Sequence, residues 1–208
     1  METKDRCFRN MELRIASDEK ESYKVEGYAS TFEPYVLFED KEEKYIEVIE
    51  KDAFEGTDLS DVVYRIDHEG AVYARTSAGT LEVNADDHGL HMIADLSKSA
   101  NARNHFEDVK AGNYPQMSFA FKVAEDTWLE ERTEDGQYIY TRTIKRVSKV
   151  YDVSPVSFPA NPTTELDVST RSAFDGAIEG FRAERLKKEK RQKDLDRLTL
   201  KLKLMEVK

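Results

Sequence analysis

A single cysteine, Cys7, stands among 208 residues, so no disulfide can form within the chain and nothing in it calls for an oxidising compartment. A lone cysteine so near a terminus reads as a bystander. No apolar run approaches the ~20 residues that cross a bilayer. Residues 1–11 are charged and have no signal-peptide core, so the expectation is a cytoplasmic protein with no membrane partner. The sequence also lacks a phosphate-cradling glycine loop, a Gly-x-Ser-x-Gly elbow, a cysteine pair and a His-Glu-x-x-His run. Nucleotide chemistry, the α/β-hydrolase plan and a zinc centre therefore have no motif to rest on. No cofactor and no metal are expected. His88 and His91 stand three apart, a spacing that on a strand puts them on opposite faces.

Charge is what the chain has in quantity. Asp and Glu number 42 against 32 Lys and Arg, a net of −10. From residue 180 to the end, eleven basic and five acidic residues give +6, which leaves −16 on the rest. A body that acidic repels phosphate, which argues against nucleic acid as the main partner. The basic end suits either an acidic partner or an ordinary solvated helix.

Periodicity divides the chain in the same place. Up to about residue 167 it reads as β-rich with a helix. Strand-like alternation recurs at residues 11–16, 23–31, 45–49, 62–65, 116–123, 138–144 and 147–153, and residues 80–84 and 89–95 form a hairpin around Asp86, Asp87 and His88. Residues 51–54 make a short helical turn. Ser97 is placed to cap a helix over residues 97–112, where Ala100, Ala102, Phe106 and Val109 recur at helical spacing and Gly112-Asn113 ends the run. Pro155, Pro159 and Pro162 then break regular structure. Beyond residue 172, Leu195, Leu198, Leu202 and Met205 step by three and four along a charged amphipathic helix, over fewer heptads than a coiled coil needs. Two domains follow, residues 1–171 and a helical tail over 172–208.

Two side chains are left without a local structural explanation. Met117, Phe119, Phe121 and Val123 share one face of their strand, and the small hydroxyl of Ser118 lies on the other. His68 ends a short apolar strand in Asp67-His68-Glu69-Gly70. A nucleophilic serine needs a base for its proton, and that base needs an orienting group. His68 can be the base. Asp152, in Tyr151-Asp152-Val153-Ser154-Pro155, is the candidate third member, with Glu69, Glu165 and Asp167 as weaker ones; Asp67 is too close in sequence to reach round His68. Spacing alone does not bring these residues together.

Several blocks, in order, add a resemblance. Gly27-Tyr28-Ala29-Ser30-Thr31-Phe32, Ile49-Glu50-Lys51-Asp52-Ala53-Phe54, Asp67-His68, Ala74-Arg75-Thr76-Ser77-Ala78-Gly79-Thr80-Leu81 and Met117-Ser118-Phe119-Ala120-Phe121 lead to Tyr151-Asp152-Val153-Ser154-Pro155-Val156-Ser157-Phe158-Pro159-Ala160-Asn161-Pro162. The chain from about residue 11 to 167 resembles the prohead proteases of tailed phages, although Asp52 stands where that family usually has glycine. The resemblance implies an α+β fold of the herpesvirus-assemblin kind, a β-barrel flanked by helices. It implies a serine endopeptidase with His68 and Ser118 in the catalytic pair and Asp152 as third member. Its substrates would be scaffolding protein or the scaffolding segment of the major capsid protein, cut inside the assembling prohead in the host cytoplasm, with self-cleavage besides. Arg142 and Arg146 are candidates for holding an oxyanion-stabilising water. The tail would dock on scaffold helices or support a homo-oligomer. The alternative is a capsid-assembly protein that kept the fold and lost the activity.

Overall fold

Alternation of apolar and polar side chains carries about half of the described chain into strands. A computed structural model describes residues 5–9, 13–16, 22–157 and 168–206. In chain order the elements are β1 (Asp5–Arg9), β2 (Leu13–Ile15), β3 (Lys24–Thr31), β4 (Tyr35–Glu39), β5 (Glu43–Ile49), β6 (Val63–Ile66), β7 (Glu69–Arg75), β8 (Leu81–Ala85), β9 (Gly89–Asp95), α1 (Ala100–Lys110), β10 (Gln116–Arg132), β11 (Tyr138–Val156) and α2 (Val168–Glu206). Single 3-10 turns occupy Lys51–Phe54, Thr76–Ala78 and Leu96–Lys98. Glu165, Asp167, Pro159 and Pro162 lie outside the described residues.

The chain folds as two units, Met1–Thr170 and Arg171–Lys208. In the first, two sheets face each other. One has the order β1-β10-β11-β5-β4, and β6 also pairs β11 and carries β7; the other has the order β2-β3-β9-β8. Phe119, Phe121, Ile144, Val147 and Val150 from the first sheet share one buried core with Val25, Leu90, Met92 and Ala94 from the second. This corrects the expected barrel. The fold is mixed α and β with no closed barrel, because closure needs an unbroken ladder round the ring. Here β2 is only three residues long, and among the described residues it meets the chain just before β10 through one backbone bond, from the Leu13 N–H to the Pro115 carbonyl at 3.3 Å.

The pairing partners of β11 position the site. The strand lies antiparallel to β10 and parallel to both β5 and β6. The alternation predicted two strands with a break after residue 144, yet β11 runs through. Lys145, Ser148 and Tyr151 have no register partner on β10. Each is an extra residue of the bulge kind, so the buried positions recur every third residue, at Ile144, Val147, Val150 and Val153.

Two local expectations change. Leu96 is fully buried and the Asp95 carboxylate accepts the Ser97 N–H at 2.9 Å, which puts Ser97 in a 3-10 turn. The helix cap is Ser99, whose hydroxyl accepts the Ala102 N–H at 3.1 Å. His88 sits in the turn before β9 rather than on the strand, and the rings of His88 and His91 both pack on Tyr28, at 4.6 and 4.9 Å.

The second unit is α2 alone, its charged residues placing it outside the class of membrane-spanning helices; among the described residues no helix is long and apolar enough to cross a membrane. Leu186, Leu195 and Leu198 on it are exposed.

The first unit also buries a histidine. His105 of α1 lies among the rings of Tyr64, Tyr73 and Tyr114, and the Tyr64 hydroxyl meets its Nε2 at 3.1 Å. Burial pushes the His105 pKa down to about 4, against a smaller upward pull from Asp108. The unfolded chain binds this proton near pH 6.5 and the folded one does not, so the histidine's contribution is complete above pH 6.5 and is lost as pH falls toward 4. A His105→Phe variant should therefore lose about 3 kcal/mol of the wild type's stability difference between pH 7 and pH 4. Urea midpoints at both values check this, and equal slopes for the two proteins would contradict it.

Candidate active site

Strand alternation places the first group. Met117, Phe119 and Phe121 fill the core side of β10, which turns Ser118 and Ala120 to the other face. The register sets Ser154 opposite Ser118 and Asp152 opposite Ala120. Serine, aspartate and second serine thus occupy one patch of the sheet.

His68 comes from the β6–β7 hairpin. Ile66 pairs with Glu69, leaving Asp67 and His68 as a two-residue loop. Their φ angles are 48° and 61°, the left-handed values that tight hairpin loops require at both central positions. Because β6 runs parallel to β11 through Asp152 and Val153, the loop lands beside the end of β11.

There the three expected residues meet. His68 Nε2 is 2.8 Å from Ser118 Oγ, and His68 Nδ1 is 2.6 Å from Asp152 Oδ1. An ionised carboxylate can only accept, so Nδ1 carries the proton and donates it, leaving Nε2 to accept from the Ser118 hydroxyl. Burial alone would push the Asp152 carboxyl up. The His68 hydrogen bond and electrostatic attraction, the Ser154 hydroxyl and the Arg65 guanidinium together outweigh it and hold the group below the usual carboxylate value. Ser118, His68 and Asp152 are 0%, 4% and 5% exposed. In so dry a setting each of these hydrogen bonds is stronger than in water.

Two neighbours complete the arrangement and were not singled out from sequence. Ser154 donates to Asp152 Oδ1 at 2.7 Å; its spacing of two from Asp152 on a strand was the available signal. Arg65 donates to the carbonyls of His68 and Gly70, both at 3.2 Å, and so braces the histidine's loop from its own strand.

The other candidates lie elsewhere. Asp67 bonds to Ser157. Glu69 is exposed on β7. Arg142 is engaged by Glu47 and Asp126. Arg146 is exposed and lies eight residues before Ser154 on β11, roughly 26 Å along a strand. Cys7 belongs to β1. Among the described residues no cluster of His, Cys, Asp and Glu could hold a metal ion.

The geometry suits one kind of chemistry. A hydroxyl, an imidazole within proton-transfer distance and a carboxylate on the far ring nitrogen form the apparatus of acyl transfer through a serine. Comparison with known proteins points the same way. A family model described as caudovirus prohead serine protease matches residues 10–177. No curated protein and no solved structure matches the chain.

Proposed function

The chain belongs to the caudovirus prohead serine protease family, and from that premise we propose that it is an active endopeptidase of capsid maturation whose catalytic residues are Ser118, His68 and Asp152. The observation that carries this is the unbroken relay from the Ser118 hydroxyl through the imidazole to the Asp152 carboxylate, at 2.8 and 2.6 Å. Ser118 Oγ attacks the scissile carbonyl as His68 Nε2 takes its proton. The imidazolium is stabilised by Asp152, then returns the proton to the departing amine. Water, deprotonated by His68, releases the acyl group and restores the serine.

The substrate on this reading is scaffolding protein or the scaffolding segment of the major capsid protein, cut within the assembling capsid in the host cell. Self-cleavage between the protease body, residues 1–171, and the tail, residues 172–208, extends the same reading. Co-expression with the capsid and scaffolding proteins of the same phage tests it. Wild type should yield fragments whose N-terminal sequences define one cleavage motif, and Ser118→Ala should yield none. Full-length capsid protein with both would overturn the assignment.

One observation favours a second reading, an assembly factor with the fold but no activity. Ser118 has no accessible surface, and a hydroxyl so shielded cannot meet a polypeptide carbonyl until the shield moves. In an active enzyme, substrate or assembly opens the site, and Ser118 then reacts with a fluorophosphonate. In an inactive one, Ser118 stays unlabelled in assembled particles as well.

A further inference from the structure

The β6–β7 loop sets an unusual demand. It holds two residues other than glycine, Asp67 and His68, at positive φ, where L side chains are disfavoured. It must also keep an imidazole within 2.8 Å of Ser118 Oγ. The strand ladder gives limited support, because β6 pairs β11 at only two positions, Asp152 with Val63 and Val153 with Tyr64. Past that point Arg65 braces the loop from β6, and its position against β11 needs a further tie.

Asp67 supplies the tie. Its N–H donates to the Pro155 carbonyl at 3.0 Å. Its Oδ1 accepts the Ser157 N–H at 2.8 Å, and its Oδ2 accepts the Ser157 hydroxyl at 2.7 Å. Three bonds from one residue therefore fasten the loop to the end of the strand that carries Asp152 and Ser154. An aspartate fits here for two reasons. It tolerates left-handed backbone better than most residues, and its two oxygens can engage both donors of one serine.

We propose that Asp67 is a positioning residue for His68, its carboxylate locking the histidine's loop to Ser157 so that the imidazole is held between Ser118 and Asp152. This rests on the protease reading for its activity readout, and it places Asp67 outside the reacting atoms. Reacting groups displaced by about 1 Å lose on the order of 100-fold in rate, so losing the lock should fall on turnover and leave substrate affinity nearly alone.

Three substitutions separate the lock from the turn. Asp67→Gly keeps a residue that accepts positive φ and removes both carboxylate bonds. Asp67→Asn keeps tolerance of that φ, and its amide can both accept the Ser157 N–H and donate to the hydroxyl. Ser157→Ala removes the hydroxyl bond alone. On a peptide bearing the cleavage motif, well below the melting temperature, Asp67→Gly should lower kcat about 100-fold with KM within about threefold. Ser157→Ala should fall between it and wild type, and Asp67→Asn should stay within about threefold of wild type.

A second readout is independent of turnover. Proton NMR of the full chain should show the His68 Nδ1–H that bonds to Asp152 far downfield, absent in His68→Gln and lost or shifted in Asp67→Gly. Unchanged kcat in Asp67→Gly, or a downfield proton identical to wild type, would overturn the proposal. So would a loss in Asp67→Asn as deep as in Asp67→Gly. A wild type that cleaves nothing while its downfield proton still depends on Asp67 would instead count against the protease reading and leave the lock standing.

Discussion

Ser118→Ala is expected to lower cleavage of a motif peptide by about 10,000-fold or more, with a melting temperature within a few degrees of wild type. The hydroxyl is the only atom removed, and Ala120 two residues along the same strand face shows that a methyl fits the local packing. His68→Ala should cost about as much, and the double variant little more than either single one, because residues that act as a unit are not additive. Asp152→Asn is the sharper test of the third position. The shape is preserved, but an amide can donate to Nδ1, which turns the ring to the tautomer that cannot accept the serine's proton. A loss of about 10,000-fold is expected there too, against near-normal rates for Glu69→Gln, whose side chain points into solvent. Activity surviving in Ser118→Ala would remove the serine mechanism altogether. Activity surviving only in Asp152→Asn would return the third position to a residue outside those described, such as Glu165 or Asp167.

The parts of this site differ in how openly the sequence displays them. Ser118 is legible because β10 alternates cleanly: Met117, Phe119 and Phe121 pull one face into the core and leave a small hydroxyl on the other. His68 read on its own as a polar residue at a strand end. Its meaning depends on the parallel pairing of β6 with β11, and parallel partners distant in sequence leave no local trace. The residue types alone make His68 a possible base, and the resemblance to a family pairs it with Ser118. Asp152 was placed by order along the chain, yet Ser154 was passed over, since seeing it requires the β10–β11 register. That register was hidden by the bulges at Lys145, Ser148 and Tyr151, which turn a two-residue period into a three-residue one and made a single long strand look like two. The expected barrel fails for a related reason. Strand content and order are visible in a sequence, but whether one sheet's edge continues into the next as a ladder is decided by a few residues.

β11 also buries a charge, ten residues before Asp152. Arg142 and Glu47 are 3% and 2% exposed. The guanidinium meets Glu47 Oε2 at 3.3 Å and Asp126 Oδ2 at 2.8 Å and lies 5.4 Å from the Trp128 ring centre, while the Tyr35 hydroxyl donates to Glu47 Oε1. Removing one partner of such a pair strands the other charge without solvent, at a cost of about 3–5 kcal/mol. Arg142→Met should therefore lower the melting temperature by roughly 10 °C in a unit of this size, and adding Glu47→Gln should recover part of the loss because it removes a stranded charge. Arg142 precedes Asp152 by ten residues on the same strand, roughly 33 Å of extended chain, so below the melting temperature turnover should stay near that of wild type. The contrast separates two roles that the sequence left open for this residue. A variant that melts normally but no longer turns over would mean that Arg142 serves the oxyanion. A variant that melts early but cleaves normally when folded would make it the electrostatic anchor of β5 against β11, on which the placement of the whole long strand depends.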